Sequence, residues 1–172
     1  IMKDAYSFDR DEEGLQVSYE KFVDAYDRIC DRIGLEWYRV ESDVGMMGGS
    51  GAHEYMAPCA AGENEVALAP GYAANVEIAS AEPQAVELPA PLDAPEEVDT
   101  PGLTKVEEVA GHLGLPHGAF VKTLPIVVEG RGMVLVLVRG DHRLNEVKLR
   151  NGMKADFRQA SSEEIEAQLG PV

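Results

Sequence analysis

The chain has 172 residues, 45% of them hydrophobic, and carries 31 acidic against 15 basic side chains for a formal net charge of -16. That length suits one ordinary domain or two small ones, and the apolar fraction supports a buried core, which excludes wholesale disorder. No apolar run reaches the ~18 residues that span a bilayer, and so acidic a total argues against broad coating of nucleic acid, whose phosphates need a positive surface.

No basic-then-apolar leader opens the sequence. Cys30 and Cys59 are the only cysteines, too few for a disulfide scaffold and not spaced as a metal pair. The expectation is a soluble protein of the reducing cytoplasm, with no metal site. Ile1 to Tyr6 read as the interior of a β-like stretch, and Leu169-Gly170-Pro171-Val172 follow a turn signal. Both ends therefore predict an internal piece of a longer protein.

Ser18 to Ile33 is the clearest helix, because Tyr19, Phe22, Val23, Tyr26, Ile29, Cys30 and Ile33 share one apolar face. Gly34 is its expected stop, and Cys30 reads as packing rather than as a nucleophile. Leu35 to Val40 reads as a strand containing Trp37. Gly45, Gly48, Gly49 and Gly51 follow at a spacing that fits neither a P-loop nor a dinucleotide fingerprint, so a turn or bulge is expected. His53-Glu54 begins like a zinc-protease motif, but the position of the second histidine holds Ala57.

From Ala81 to Asp99 there are six acidic residues and no basic ones, with Pro83, Pro89, Pro91 and Pro95 spaced through the stretch. Prolines and repelling charge predict an extended linker, which divides the chain into 1–80, 81–99 and 100–172. Beyond it, Thr104 and Glu107 predict a capping box for a helix carrying Val106, Val109, Ala110 and Leu113, ended by Gly114 and Pro116. Leu124–Val128 and Met133–Arg139 read as a hairpin turning at Glu129 to Gly132. A helix is expected over Leu144–Leu149, a strand-like stretch over Ala155–Gln159, and a helix over Ser161–Leu169 with a Ser161/Glu164 capping box. This second unit is α+β.

These residues also carry a resemblance. Met2-Lys3-Asp4-Ala5-Tyr6-Ser7-Phe8-Asp9 resembles the end of the second signature motif of bacterial-type prolyl-tRNA synthetases. The helix with Tyr19, Tyr26, Ile29, Arg32, Gly34 and Leu35, then Gly48-Gly49, His53-Glu54-Tyr55, Gly62-Glu63 and Tyr72-Ala73-Ala74-Asn75, resemble further blocks of that family. After the linker, Thr100-Pro101, Glu107-Glu108-Val109, Lys122-Thr123-Leu124 and the run from Val138 to Leu149 resemble the editing domain inserted in those enzymes. The resemblance covers nearly the whole chain in the family's order. It implies part of a class II synthetase core, an antiparallel sheet flanked by helices, joined to part of an α+β editing domain. It also implies a parent that ligates proline to tRNA(Pro) with ATP and Mg2+, hydrolyses mischarged alanyl-tRNA(Pro), and forms a homodimer.

The sequence departs from the family at several points. The arginine-bearing half of the second motif and the third motif are absent, so neither reaction is expected of these 172 residues alone. Ala52 stands where a serine is common, and Ala69 and Gly71 stand near where cysteines are often found. The family's editing loop is only grazed by Gly170 and Pro171, since Ala167 lies four before the proline.

An editing site must separate alanine from proline, and a few methylenes are worth only ~1–3 kcal/mol in an apolar pocket, so a small second site that excludes the larger product is needed. Its walls are expected from Leu124–Val128 and Met133–Val138. Ester hydrolysis needs a water, stabilisation of the developing oxyanion and a grip on the terminal adenosine. By resemblance Lys122 is the lysine of the family's Lys-Thr-Leu block and holds the tRNA 3′ end or the ester; otherwise it is a surface lysine at a strand start. No Ser/His/Asp or Cys/His set is visible, so water, assisted by the adenosine hydroxyl, is the expected nucleophile. Asp141 and His142 follow the returning strand, where His142 is placed to move protons, unless Asp141 caps the next helix and His142 orders the turn. Asn145 and Lys148 fall on the first helical turns, with Lys148 a phosphate contact, and Thr123 a donor in the pocket. In the first segment Lys3, Asp4 and Tyr6 belong to the ATP and proline site by resemblance, and Gly48, Gly49, His53 and Glu54 border the amino-acid pocket or serve packing alone. A reading from another class remains: a non-catalytic module that holds a tRNA end or a protein partner.

The charge is unevenly placed. Residues 1–80 hold 6 basic and 16 acidic side chains, and residues 100–172 hold 9 of each. Within the latter, the stretch from Arg131 to Arg158 holds seven basic residues against Asp141, Glu146 and Asp156. A local grip on one tRNA end is therefore compatible with the acidic total.

Overall fold

The computed structural model describes residues 5–170. Lys3, Asp4 and Pro171 lie outside the described residues. The chain divides into two units, Ile1–Ala79 and Ser80–Val172, and both mix helices with mainly antiparallel sheet, an α+β architecture.

In the first unit, helix α1 spans Glu12–Ile33, and its N-cap Asp11 accepts from the Gly14 amide at 2.9 Å. It begins six residues before the expected Ser18. Leu15 and Val17 are 43% and 51% exposed, so the opening turns carry no buried stripe by which to read them. Gly34 closes the helix in the left-handed region at φ 73°, as expected. Strand β1 is Tyr38–Ser42, β2 is Ala52–Met56, β3 is Val66–Ala69 and β4 is Tyr72–Asn75. They form one sheet in the order β2-β1-β4-β3, antiparallel except for β1 beside β4. The expected strand at Leu35–Val40 lies a few residues further on, and the β3/β4 hairpin has no counterpart in the sequence reading. The buried centre is small, chiefly Val40 and Ala74. An aromatic cluster reinforces it, with Tyr26 and Trp37 rings 5.5 and 5.3 Å from Tyr55.

In the second unit, α2 is Val106–Leu113, β5 is Val121–Val128, β6 is Gly132–Arg139, α3 is Glu146–Met153, β7 is Phe157–Gln159 and α4 is Ser162–Leu169. The sheet order is β6-β5-β7, all antiparallel. Alternation along β5 puts Lys122, Leu124, Ile126 and Val128 on one face, and Ile126 and Val128 are each 1% exposed. Residues 80–99 hold no helix or strand, but they are not wholly extended away from the unit. A Cβ built on Gly118 would come within 2.5 Å of the Val86 side chain, so Val86 lies directly over that glycine.

Two helix starts differ from expectation. At α2, Glu108 rather than Glu107 reaches back, accepting from the Lys105 amide at 3.2 Å, because the helix begins one residue later. At α3 the cap is Asn145, whose side-chain oxygen accepts from the Lys148 amide at 3.0 Å, so the helix runs Glu146–Met153 rather than Leu144–Leu149. The box at α4 forms as expected. The Ser161 amide donates to Glu164 at 2.9 Å, and the Glu164 amide donates to Ser161 Oγ at 3.3 Å.

Candidate functional site

Lys122 sits on β5 opposite Val138 of β6, on the face that buries Ile126, and its side chain is half-buried. Its ammonium donates to the main-chain carbonyl of His142, in the turn that follows β6. The structure thus brings Lys122 and His142 together. That turn is held tightly. The Gly140 amide donates to the Phe120 carbonyl at 2.7 Å, and a Cβ on Gly140 would lie 2.2 Å from the His117 carbonyl oxygen. Only glycine lets the two segments approach so closely.

Arg139, the last residue of β6, is the centre of this corner. Its Nε and Nη2 donate to the two carboxylate oxygens of Asp141 at 2.6 and 2.9 Å, a forked pair. Its Nη1 donates to the Gln84 carbonyl at 3.0 Å, and Nη2 also lies 2.8 Å from His142 Nε2. Hydrogen bonds from Arg139 hold the Asp141 carboxyl below the usual carboxylate range. Asp141 is therefore the partner of Arg139 and not a helix cap, since Asn145 fills that role.

Of the other expected site residues of this unit, Thr123 is exposed on the opposite face of β5 from Lys122 but lines a groove beside it. Lys148 Nζ donates to Ser80 Oγ at 3.2 Å. Gly170 ends α4, its amide donating to the Glu166 carbonyl at 3.1 Å. A groove of about 550 Å³ beside Lys122 is lined by Thr104, Val106, Phe120, Lys122, Thr123 and Leu124 among others. Of the expected wall residues in Leu124–Val128 and Met133–Val138 it takes only Leu124, the rest of its lining coming from the start of α2 and the start of β5.

In the first unit His53 and Glu54 are neighbours on β2 and so face opposite ways. His53 Nδ1 lies 2.8 Å from the Tyr19 hydroxyl on α1, and Glu54 accepts from Asn75 Nδ2 at 3.3 Å. Gly48 and Gly49 occupy the loop before β2 at φ 73° and 111°, a backbone that side chains disfavour. A groove of about 600 Å³ is lined by Tyr19, Arg39, Gly49 and His53 among others, but not by Gly48 or Glu54. Beside it, Tyr55 donates to Asp27 at 2.6 Å, and Arg39 pairs with Asp27 at 3.0 Å. Burial, then the bond to Asp27, push the Tyr55 hydroxyl up to about 12. Tyr6 is 76% exposed. Among the described residues no three His, Cys, Asp or Glu side chains stand together to hold a metal ion, and no helix is long and apolar enough to cross a membrane.

Residues 100–172 match the family described as the aminoacyl-tRNA editing domain. The whole chain is similar to proline–tRNA ligases. It is 46% identical to that of Caldicellulosiruptor bescii over 98% of this chain and 30% of the relative. It is 46% identical to that of Thermodesulfovibrio yellowstonii over 99% of this chain and 30% of the relative, and 46% identical to that of Ralstonia pickettii over 99% and 32%. It spans about 30% of the length of the relatives it matches.

Lys122, Asp141 and His142 form one corner of the second unit, while Asn145 and Lys148 stand at the start of α3. Arg139 was not among the residues expected from sequence. The signal for it was present: an arginine two residues before an aspartate, across a glycine, at a strand end, is placed to fork onto the carboxylate.

Proposed function

We propose that the chain is part of a proline–tRNA ligase, and that the Ser80–Val172 unit carries part of a site that hydrolyses the ester of mischarged alanyl-tRNA(Pro). The observation that carries this reading is the Lys122 ammonium, half-buried and held beside the Arg139–Asp141–His142 turn, within a segment similar to editing domains. A fixed cation in a partly dry groove is suited to grip the 3′-terminal ribose or phosphate and to stabilise the oxyanion that forms as water attacks the ester. The groove's apolar wall, from Val106, Phe120 and Leu124, suits a small aliphatic side chain such as alanine's.

On this reading the first unit is part of a class II core, and 1–80, 81–99 and 100–172 are core, connecting segment and editing domain. The full-length protein is a cytoplasmic homodimer whose other reaction joins proline to tRNA(Pro) using ATP and Mg2+. Among the described residues of the first unit, no three His, Cys, Asp or Glu side chains stand together, so these residues do not by themselves fit a magnesium site.

The test is deacylation of alanyl-tRNA(Pro) by the full-length ligase and its Lys122→Ala variant. The expected outcome is hydrolysis by the parent, lost in the variant, with prolylation retained. Equal hydrolysis by both proteins would sink the assignment of Lys122. Absence of hydrolysis in the parent would instead favour a module that binds a tRNA end without catalysis.

A further inference from the structure

We propose that Arg139 is the positioning residue of this corner, and that it fixes His142 in the tautomer that carries its proton on Nδ1, so that His142 does not act as the proton-transferring base. This rests on the editing role proposed for Lys122. The argument begins with donors and acceptors. A guanidinium only donates. His142 Nε2 lies 2.8 Å from Arg139 Nη2, so this ring nitrogen accepts and bears no proton. The proton of the neutral ring is then on Nδ1, the reverse of what an unconstrained imidazole favours in water. Protonating Nε2 would set two donors against each other at hydrogen-bond distance.

Arg139 cannot easily turn away to permit that. Each of its three nitrogens is engaged: Nε and Nη2 with the Asp141 carboxylate at 2.6 and 2.9 Å, and Nη1 with the Gln84 carbonyl at 3.0 Å. Asp141 Oδ1 lies 3.8 Å from His142 Nε2, but the shorter contacts of that carboxylate go to Arg139. Lys122 holds the other end of the same residue through the His142 carbonyl. His142 is therefore gripped by its ring from Arg139 and by its main chain from Lys122. Its free function is to donate from Nδ1, and the proton of the attacking water passes to solvent as the ester is opened. The anchor at Gln84 also makes the acidic segment before α2 part of the corner, together with Val86 over Gly118.

Neutron diffraction from the deuterated full-length ligase reads the ring directly. The expected map has deuterium on Nδ1 of His142 and none on Nε2, whereas deuterium on Nε2 would overturn the proposal without touching the editing assignment. Kinetics supply the second readout. Arg139→Gln, which keeps a donor but loses the fork, is expected to lower kcat for alanyl-tRNA(Pro) deacylation about 10²-fold, as small misplacements of catalytic groups do, with KM little changed. Arg139→Lys, which keeps the charge without the fork, is expected to fall nearly as far. Unchanged kcat in both variants would also overturn the positioning role. Because the diffraction experiment needs no activity, a parent that fails to deacylate refutes the proposed function and still decides the tautomer.

Discussion

The ammonium of Lys122 is bonded to the main-chain carbonyl of His142, a residue twenty positions further along the chain. The contact ties the start of β5 to the turn leaving β6, and so sets the position of a cation relative to the Asp141–His142 turn. Replacing Lys122 by Met keeps most of the aliphatic stem but removes the donor. The expected cost is about 1 kcal/mol of stability, as for a partly exposed hydrogen bond, against a loss of about 10²–10³-fold in deacylation if the ammonium serves the oxyanion. Urea unfolding and single-turnover deacylation measure the two separately. A large stability loss with proportionate loss of activity would make Lys122 a structural residue.

Gly140 stands where the same turn passes closest to the segment before β5. An added methyl would lie 2.2 Å from the His117 carbonyl oxygen and 3.1 Å from both Phe120 Cβ and Val106 Cγ1. Backbone would have to move, because the nearest atom is not the end of a flexible side chain. Gly140→Ala is expected to destabilise the second unit by about 1–3 kcal/mol, the range for forcing extra atoms into a packed site. Gly152→Ala, inside α3 with nothing within 4 Å of the new methyl, is the control and is expected to be neutral or to stabilise by up to about 1 kcal/mol. A lowered urea midpoint for both, or for neither, would contradict this.

The elements that sequence reading located well are those whose signals are local. Ser161 and Glu164 bracket the start of α4 as a capping box, Gly34 stops α1, and the Glu129 to Gly132 turn joins two apolar strands. Each depends on a few adjacent side chains acting on nearby backbone. Choices between neighbouring candidates were less readable. Glu107 and Glu108 are chemically identical, and only the phase of α2 decides which reaches back to the cap. Asp141 and Asn145 are both good caps by type, and Arg139 removes Asp141 from the competition. The β3/β4 hairpin escaped because Val66–Ala69 and Tyr72–Asn75 are four residues each, too short for alternation to stand out. The contact of Val86 with Gly118 escaped for another reason: proline spacing and charge describe a segment's stiffness, not what a single valine in it touches. Lys122 and His142 were each readable as candidates, but their bond spans a strand, a turn and a second strand, which no local pattern encodes.

The two faces of β5 should respond differently to truncation. Ile126 is 1% exposed and pairs across to Val134, whereas Thr123 is exposed on the other face. Ile126→Ala removes a fully buried side chain and is expected to cost about 2–5 kcal/mol, depending on how far the surroundings collapse. Thr123→Ala is expected to change stability by less than about 0.5 kcal/mol. Amide exchange of β5 and β6 reads both in the intact protein. Protection lost equally in the two variants would mean that the register or the buried face is misassigned.

Glu164 gives the acid response a defined window. The forked bond from Arg158, at 2.7 and 2.8 Å, and then the Ser161 amide hold its carboxyl down to about 2, against an ordinary value of 4.5. A depressed folded-state value means that the charged form favours the folded state. Its contribution is therefore fully present above about pH 4.5 and is lost as the pH falls toward about 2. The group is solvent-accessible, so the effect is local and weakened by salt. Amides of the first turn of α4 are expected to lose exchange protection across that interval, and sooner in 1 M salt, where the Arg158 pair is screened. Glu164→Gln removes the titrating group, and its first-turn protection should be lower than the parent's at neutral pH and nearly flat from pH 5 to 2. If the variant kept the parent's acid transition, another carboxylate would be responsible and the Arg158–Glu164 pair would have no part in holding the start of α4.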